Sequence, residues 1–281
     1  MSETLTTGSV TSADGTTIGY RRFGHGPAVI LVHGGMQASQ NFRKLAAELA
    51  DEFEVFVPDR RGRGMSGPYG DHYAVQREVE DLQALVAASR ATRIFGLSSG
   101  ALVTLRTALA TPSLTKVALY EPPLSIDGSA PVDWVPRYER EVDEGRIGAA
   151  LVSVLQGLKT EPVLGKVPRF ILVPLFTLAM RGASSAPEGE VAIPDLVPTQ
   201  RYDIRLVKEL SGTLQDYSAL AAETLLLDGS RSPAYLRLAP EELARVIPNS
   251  QQVTLTGLGH LGADDSGAPD RVAAELRTFF R

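Results

Sequence analysis

The chain has 281 residues, of which 43% are hydrophobic and 22% charged, with a formal net charge of −5. These are globular proportions that exclude a disordered or fibrous chain, and the length suits one large domain or a domain with an insertion. With zero cysteines, disulfide scaffolds, thiolate metal sites and cysteine nucleophiles are excluded as well. Lys and Arg are scattered, and the densest basic spot, Arg60, Arg61 and Arg63, is too small for a nucleic-acid face. Segment 1–10 is polar, with neither the basic nor the apolar region of a signal peptide. The longest later apolar run, Phe170 to Met180, is broken by Pro174 and falls short of the ~20 residues of a bilayer span. The expectation is a soluble cytoplasmic protein with no membrane partner.

Short apolar runs alternate with helical patterns up to about Pro122. Thr17 to Phe23 and Ala28 to Val32 read as strands, the second continuous enough to be buried on both faces. Glu54 to Val57 is another. Tyr73 to Ala88 carries Val75, Val79, Leu82, Leu85 and Val86 on one helical stripe. Arg93 to Phe95 is a short strand, Gly100 to Leu109 a helix with few polar residues, and Lys116 to Tyr120 a buried strand. This alternation predicts a parallel sheet with right-handed crossovers. From Pro123 to Ala219 the strand signal disappears in favour of helices at Trp134–Glu144, Ile147–Leu158, Phe170–Met180 and Thr199–Leu214. Residues 123–219 are therefore expected to form a helical insertion lying on a core made of 1–122 and 220–281. Strands at Thr224–Leu227 and Gln252–Leu255 and helices at Ala239–Ile247 and Pro269–Phe280 complete that core.

Gly96-Leu97-Ser98-Ser99-Gly100 directly follows a buried strand and opens an apolar helix, the setting that a G-x-S-x-G nucleophile turn requires. Ser98 is the central residue, and the Ser99 N–H at the helix start could hold a developing oxyanion. His33-Gly34-Gly35-Met36 ends an earlier buried strand and could bring a second backbone N–H, that of Gly35. Gly259-His260 follows the last strand, where a loop histidine can reach back over the sheet edge.

Together with the Asp59 to Ser66 turn, D-x-R-G-x-G-x-S, these landmarks resemble the α/β-hydrolase superfamily across nearly the whole chain. The resemblance implies a mainly parallel doubly wound sheet with a helical cap after the sixth strand. It also implies Ser98 as nucleophile and His260 as general base, with no cofactor. One position departs from the family. The usual acid follows the seventh strand in a G-x-x-D turn, which reads Gly229-Ser230-Arg231-Ser232 here. A hydroxyl cannot balance an imidazolium, so either the acid comes from elsewhere or the triad is degraded. Glu121, ending the sixth strand as the acid of haloalkane dehalogenases does, is favoured, with Asp228 as the alternative.

Plainer roles are expected of the remaining polar residues. His33 is read as a structural loop histidine and Asp59 as a partner of Arg61 or a cap of its own turn. His25, His72, Asp264 and Asp265 are read as solvated, and no histidine pair has metal-ligand spacing. Met36, Trp134, Tyr138 and Phe176 are candidate pocket residues, alongside Phe170, Leu175 and Met180, and point to an apolar or aromatic small-molecule substrate. The leading expectation is a serine hydrolase acting on an ester, lactone or related carbonyl. Two rivals stay open: a non-hydrolytic, acyl-transfer or C–C-cleaving enzyme on the same fold, and a small-molecule receptor with little turnover.

Overall fold

The computed structural model describes residues 5–160 and 164–281. Residues 1–4, which open the N-terminal segment read above, lie outside the described part. Among the described residues the strands are β1 (Thr6–Thr11), β2 (Thr17–Gly24), β3 (Ala28–Val32), β4 (Glu54–Pro58), β5 (Arg93–Leu97), β6 (Lys116–Tyr120), β7 (Glu223–Gly229) and β8 (Ser250–Leu255). They form one sheet in the order β1-β2-β4-β3-β5-β6-β7-β8. β1 and β2 run antiparallel to their neighbours, and the pairings from β4 to β8 are parallel.

Alternation along the central strands sends side chains into two cores. Ile30, Val32, Ile94, Val117 and Leu119 pack on one face with α2 (Val75–Ser89) and α3 (Ser99–Ala110). Val29, Leu31, Phe95, Ala118 and Tyr120 pack on the other with α1 (Arg43–Leu49) and α10 (Pro269–Phe280). A strand buried on both faces must be apolar throughout, which is why Ala28 to Val32 reads as an unbroken run. Between β6 and β7 the chain forms α4 (Val135–Asp143), α5 (Ile147–Leu158), α6 (Arg169–Gly182), α7 (Ile193–Leu196) and α8 (Gln200–Glu209), and α4, α5, α6 and α8 share a third apolar cluster. α9 (Ala234–Val246) follows β7.

Four elements differ from the sequence-based expectation. β1 and α1 carry too little periodic apolar signal to stand out. The strand reads TTGSVT with its side chains mostly exposed, and the helix is only seven residues long. The helix expected over Thr199–Leu214 stops at Glu209, because Gly212 takes a left-handed φ of 79° and the chain re-enters as a 3-10 turn at Leu214–Ala219. α9 begins five residues earlier than the expected Ala239, straight after Pro233, and tolerates Pro240 near its middle.

Candidate active site

The site forms where β3, β5, β6, β7 and β8 end, at the carboxyl edge on which open α/β sheets place their ligands. Ser98 links β5 to α3 with φ 54° and ψ −126°. Such a conformation in a non-glycine residue stores strain of about 1–3 kcal/mol that the surrounding packing must hold. The two flanking glycines explain how it is held. A β-carbon on Gly96 would lie 2.7 Å from the Ala101 Cα, and one on Gly100 would lie 2.3 Å from the His33 carbonyl oxygen. Only bare backbone lets α3 press this closely on its strand and on the end of β3.

The Ser98 Oγ lies 2.9 Å from His260 Nε2, and His260 Nδ1 lies 2.6 Å from Glu121 Oε2. With Glu121 ionised, Nδ1 carries the proton and Nε2 is free to accept the serine hydroxyl. Glu121 is fully buried, with a left-handed φ of 46°. Its own N–H donates to the Leu227 carbonyl at 3.0 Å, and its Oε1 accepts the Gly229 N–H at 2.7 Å. The carboxylate is thus anchored to the end of β7, the strand that carries the acid in most of the family. The histidine loop is pinned as well, because the Tyr120 hydroxyl donates to the Gly259 carbonyl at 2.8 Å. Asp228 is turned away: its Oδ2 accepts from Gln252 Nε2 at 3.0 Å and Thr254 Oγ at 3.1 Å, both on β8. Ser232 occupies the family's acid position with a buried hydroxyl that has no partner among the described residues.

Ser99 and Gly35 line the same cavity as Ser98 and His260. Ser99 is the first residue of α3, so its N–H has no intrahelical acceptor. The Gly35 N–H has no acceptor among the described residues, whereas its neighbour Gly34 N–H is taken by Gln37 Oε1 at 2.7 Å. Gln37 in turn donates to Asp264 at 2.7 Å. Asp264 is thereby buried in a brace between the glycine loop and the histidine loop, which corrects its reading as a solvated surface residue. The Asp59 reading resolves to the turn: Asp59 accepts the Ser39 and Met65 N–H groups at 2.6 and 3.0 Å, and Arg61 pairs with Asp81 and Asp14 instead. His25 and His72 are exposed. His33 is fully buried, its Nδ1–H donating to Gly34 O at 3.0 Å and its Nε2 accepting the Arg60 N–H at 3.2 Å. Burial first, and then the Arg63 and Arg60 charges, push its pKa well below the ordinary value, so it is neutral.

A buried ion network, unforeseen in the sequence, lies behind this loop. Asp203 of α8 accepts from Arg60 at 2.8 Å, Arg63 at 2.7 Å and Ser99 Oγ at 2.8 Å. Burial alone would raise the Asp203 pKa, but Arg63 and Arg60 hold it below the usual carboxylate value. Arg63 also donates to the Gly34 and Gln37 carbonyls at 2.8 and 3.2 Å, clamping the glycine loop. Arg60 and Arg63 fill variable positions of the D-x-R-G-x-G-x-S motif, whose fixed arginine is Arg61. Nothing in the α8 sequence announces their partner.

A cavity of about 130 Å³ opens over Ser98 and His260, with mainly apolar walls that include Met36, Trp134, Val154, Leu158 and Ile204. Tyr138 and Phe176 correct the pocket expectation, since neither lines this cavity. Tyr138 is fully buried, its hydroxyl donating to the Val197 and Pro198 carbonyls at 2.8 and 3.1 Å, and Phe176 packs in the cluster around it. Met180 joins that cluster, whereas Phe170 and Leu175 lie on the outer surface of α6, 78% and 59% exposed. Among the described residues no helix is long and apolar enough to cross a membrane.

The family model described as "Alpha/beta hydrolase family" matches residues 29–275. A pimeloyl-[acyl-carrier protein] methyl ester esterase of Xanthomonas campestris pv. campestris is 28% identical over 271 residues, covering 91% of this chain and 96% of the relative. The solved structure of an alpha/beta hydrolase from Sphaerobacter thermophilus is 34% identical, with a TM-score of 0.78 over 98% of this chain and 100% of that one. An enol-lactonase from Burkholderia xenovorans shares the fold at a TM-score of 0.69 and 19% identity, covering 96% of this chain and 100% of that one. On these grounds the chain belongs to the alpha/beta hydrolase family and is a hydrolase-type enzyme acting on small molecules.

Proposed function

We propose that this enzyme cleaves a small, largely apolar ester or lactone through a Ser98 acyl-enzyme. The observation that carries the reading is the unbroken series from Ser98 Oγ through His260 to Glu121, with spacings of 2.9 and 2.6 Å. His260 Nε2 takes the Ser98 proton as the Oγ–C bond forms, and Glu121 stabilises the imidazolium that results. The carbonyl oxygen, now carrying the charge, accepts the Ser99 and Gly35 N–H groups. Collapse breaks the bond to the leaving alcohol, which takes its proton from His260. Water, deprotonated by the same histidine, then releases the acid. Residues 123–219 act as the cap, supplying apolar walls such as Trp134 and Ile204 that exclude water and receive the substrate's hydrocarbon. An esterase among the relatives supports ester chemistry.

Intact mass after exposure to a fluorophosphonate tests this mechanism. The expected result is one adduct on the wild type that is missing from Ser98→Ala. An unmodified wild type, or an adduct persisting in the variant, overturns it and shifts attention to the non-nucleophilic and receptor readings.

A further inference from the structure

α8 lies over the glycine loop and presents two polar residues to the cavity one turn apart, Gln200 and Asp203. A β-carbon on Gly35 would lie 2.6 Å from Gln200 Oε1 and 3.2 Å from Asp203 Oδ2, so both side chains sit directly above this loop. Asp203 is fully engaged by Arg60, Arg63 and Ser99. Gln200 is not. It is only 7% exposed, it borders the cavity, and its carboxamide makes no hydrogen bond among the described residues. The other amide of the lining, Gln37, is bonded at both ends, and the Tyr235 hydroxyl donates to the Leu158 carbonyl at 3.1 Å. A buried amide facing a cavity without a protein partner is a group that a ligand is positioned to satisfy.

We propose that Gln200 is a specificity residue that binds a neutral hydroxyl on the carbon next to the scissile carbonyl, making the preferred substrates 2-hydroxy esters or lactones. The inference rests on the serine-hydrolase reading above and refines its substrate. Position follows from Gly35. The N–H that holds the carbonyl oxygen at about 2.7–3.1 Å belongs to the residue Gln200 overlies, so a substituent adjacent to the carbonyl comes within reach of the amide. Chemistry follows from the neighbours. A carboxamide both donates and accepts, as a hydroxyl does. The Asp203 carboxylate disfavours an anionic substituent there, and the buried Arg60 and Arg63 disfavour a cationic one. Farther from the carbonyl the walls are mainly apolar.

Binding separates this inference from the catalytic reading. Ethyl 2-hydroxyhexanoate and ethyl hexanoate are titrated calorimetrically into Ser98→Ala protein, which leaves both esters intact. The hydroxy ester should bind about tenfold more tightly, and adding Gln200→Met, which conserves volume, should bring the two within about twofold. Gln200→Leu gives a second comparison, and the thermal midpoint confirms that each variant is folded. Equal binding of the two esters, a preference that survives both substitutions, or no binding of either overturns the proposal. Turnover of ethyl hexanoate by the Ser98 enzyme reports separately on catalysis. A Gln200-dependent preference without turnover sinks the acyl-enzyme reading and not this one, and turnover without preference does the reverse.

Discussion

On the proposed mechanism the triad acid is Glu121, at the end of β6 and bonded to His260 Nδ1. Gly229 N–H, at the end of β7, donates to Glu121 Oε1, so the carboxylate of β6 is fixed by the neighbouring strand. Replacing its charge by an amide should therefore disturb the tautomer and charge balance of His260 more than the packing. Glu121→Gln is expected to lower kcat by roughly 10³–10⁴-fold, as amide replacement of a triad acid does, with an unchanged circular dichroism spectrum. Asp228→Asn, which alters a side chain bonded to β8, should leave kcat within about threefold, inside the range that context alone produces. Steady-state kinetics on one chromogenic ester decides between the two carboxylates. His33 makes a different prediction, about stability. Its folded pKa is lowered by burial and by Arg63 and Arg60, so below the ordinary histidine value of 6.5 the unfolded chain binds a proton that the folded one refuses. Stability should then fall with pH between about 6.5 and 5, with a contribution of up to about 1.4 kcal/mol per pH unit from this one group. Urea titrations of wild type and His33→Gln over that window should differ in slope, and parallel curves would refute the assignment.

Helix α8 couples the region between β6 and β7 to the core through a charge network rather than through apolar contact alone. Arg60 pairs with Glu78 as well as Asp203, the side chains of Arg60, Arg63, Glu78 and Asp203 are each at most 3% exposed, and Ser99 Oγ, bonded to Asp203, belongs to the first residue of α3. Removing one member of such a network leaves partners buried and uncompensated. Asp203→Asn should destabilise the protein by about 3–5 kcal/mol, read as a lower urea midpoint with an unchanged m-value. A loss below about 1 kcal/mol, the value of an exposed pair, would mean that the arginines find other partners or water.

At the scale of the whole molecule, what was legible depended on how local its signal is. β3, β5 and β6 are buried on both faces, so each announces itself as an apolar run. The Gly96 to Gly100 turn is read from five consecutive residues, because the glycines beside the strained serine allow the close packing that holds it. β1 has no such signature: it is held by its register with β2, Thr6 opposite Arg22 through Thr11 opposite Thr17, and it buries little. The Gln200–Asp203 pair is invisible for the same reason, since its meaning comes from residues 140 or so positions earlier that only the fold brings near. Tyr138 and Phe176 show the converse error, in which aromatic residues suggest a binding wall while the helices need them for their own packing.

The Ser98–His260 contact spans 162 positions and the Glu121–His260 contact 139, with the histidine contributed by the loop after the final strand. Ser98 and Glu121 leave the ribosome long before their partner. A growing chain can therefore assemble most of its sheet, including the strained elbow, while remaining chemically silent. On the proposed mechanism, competence arrives only when β8 docks and Tyr120 captures the Gly259 carbonyl. Half-made or C-terminally clipped copies would on that mechanism lack hydrolytic power, which makes hydrolysis a late reporter of complete folding.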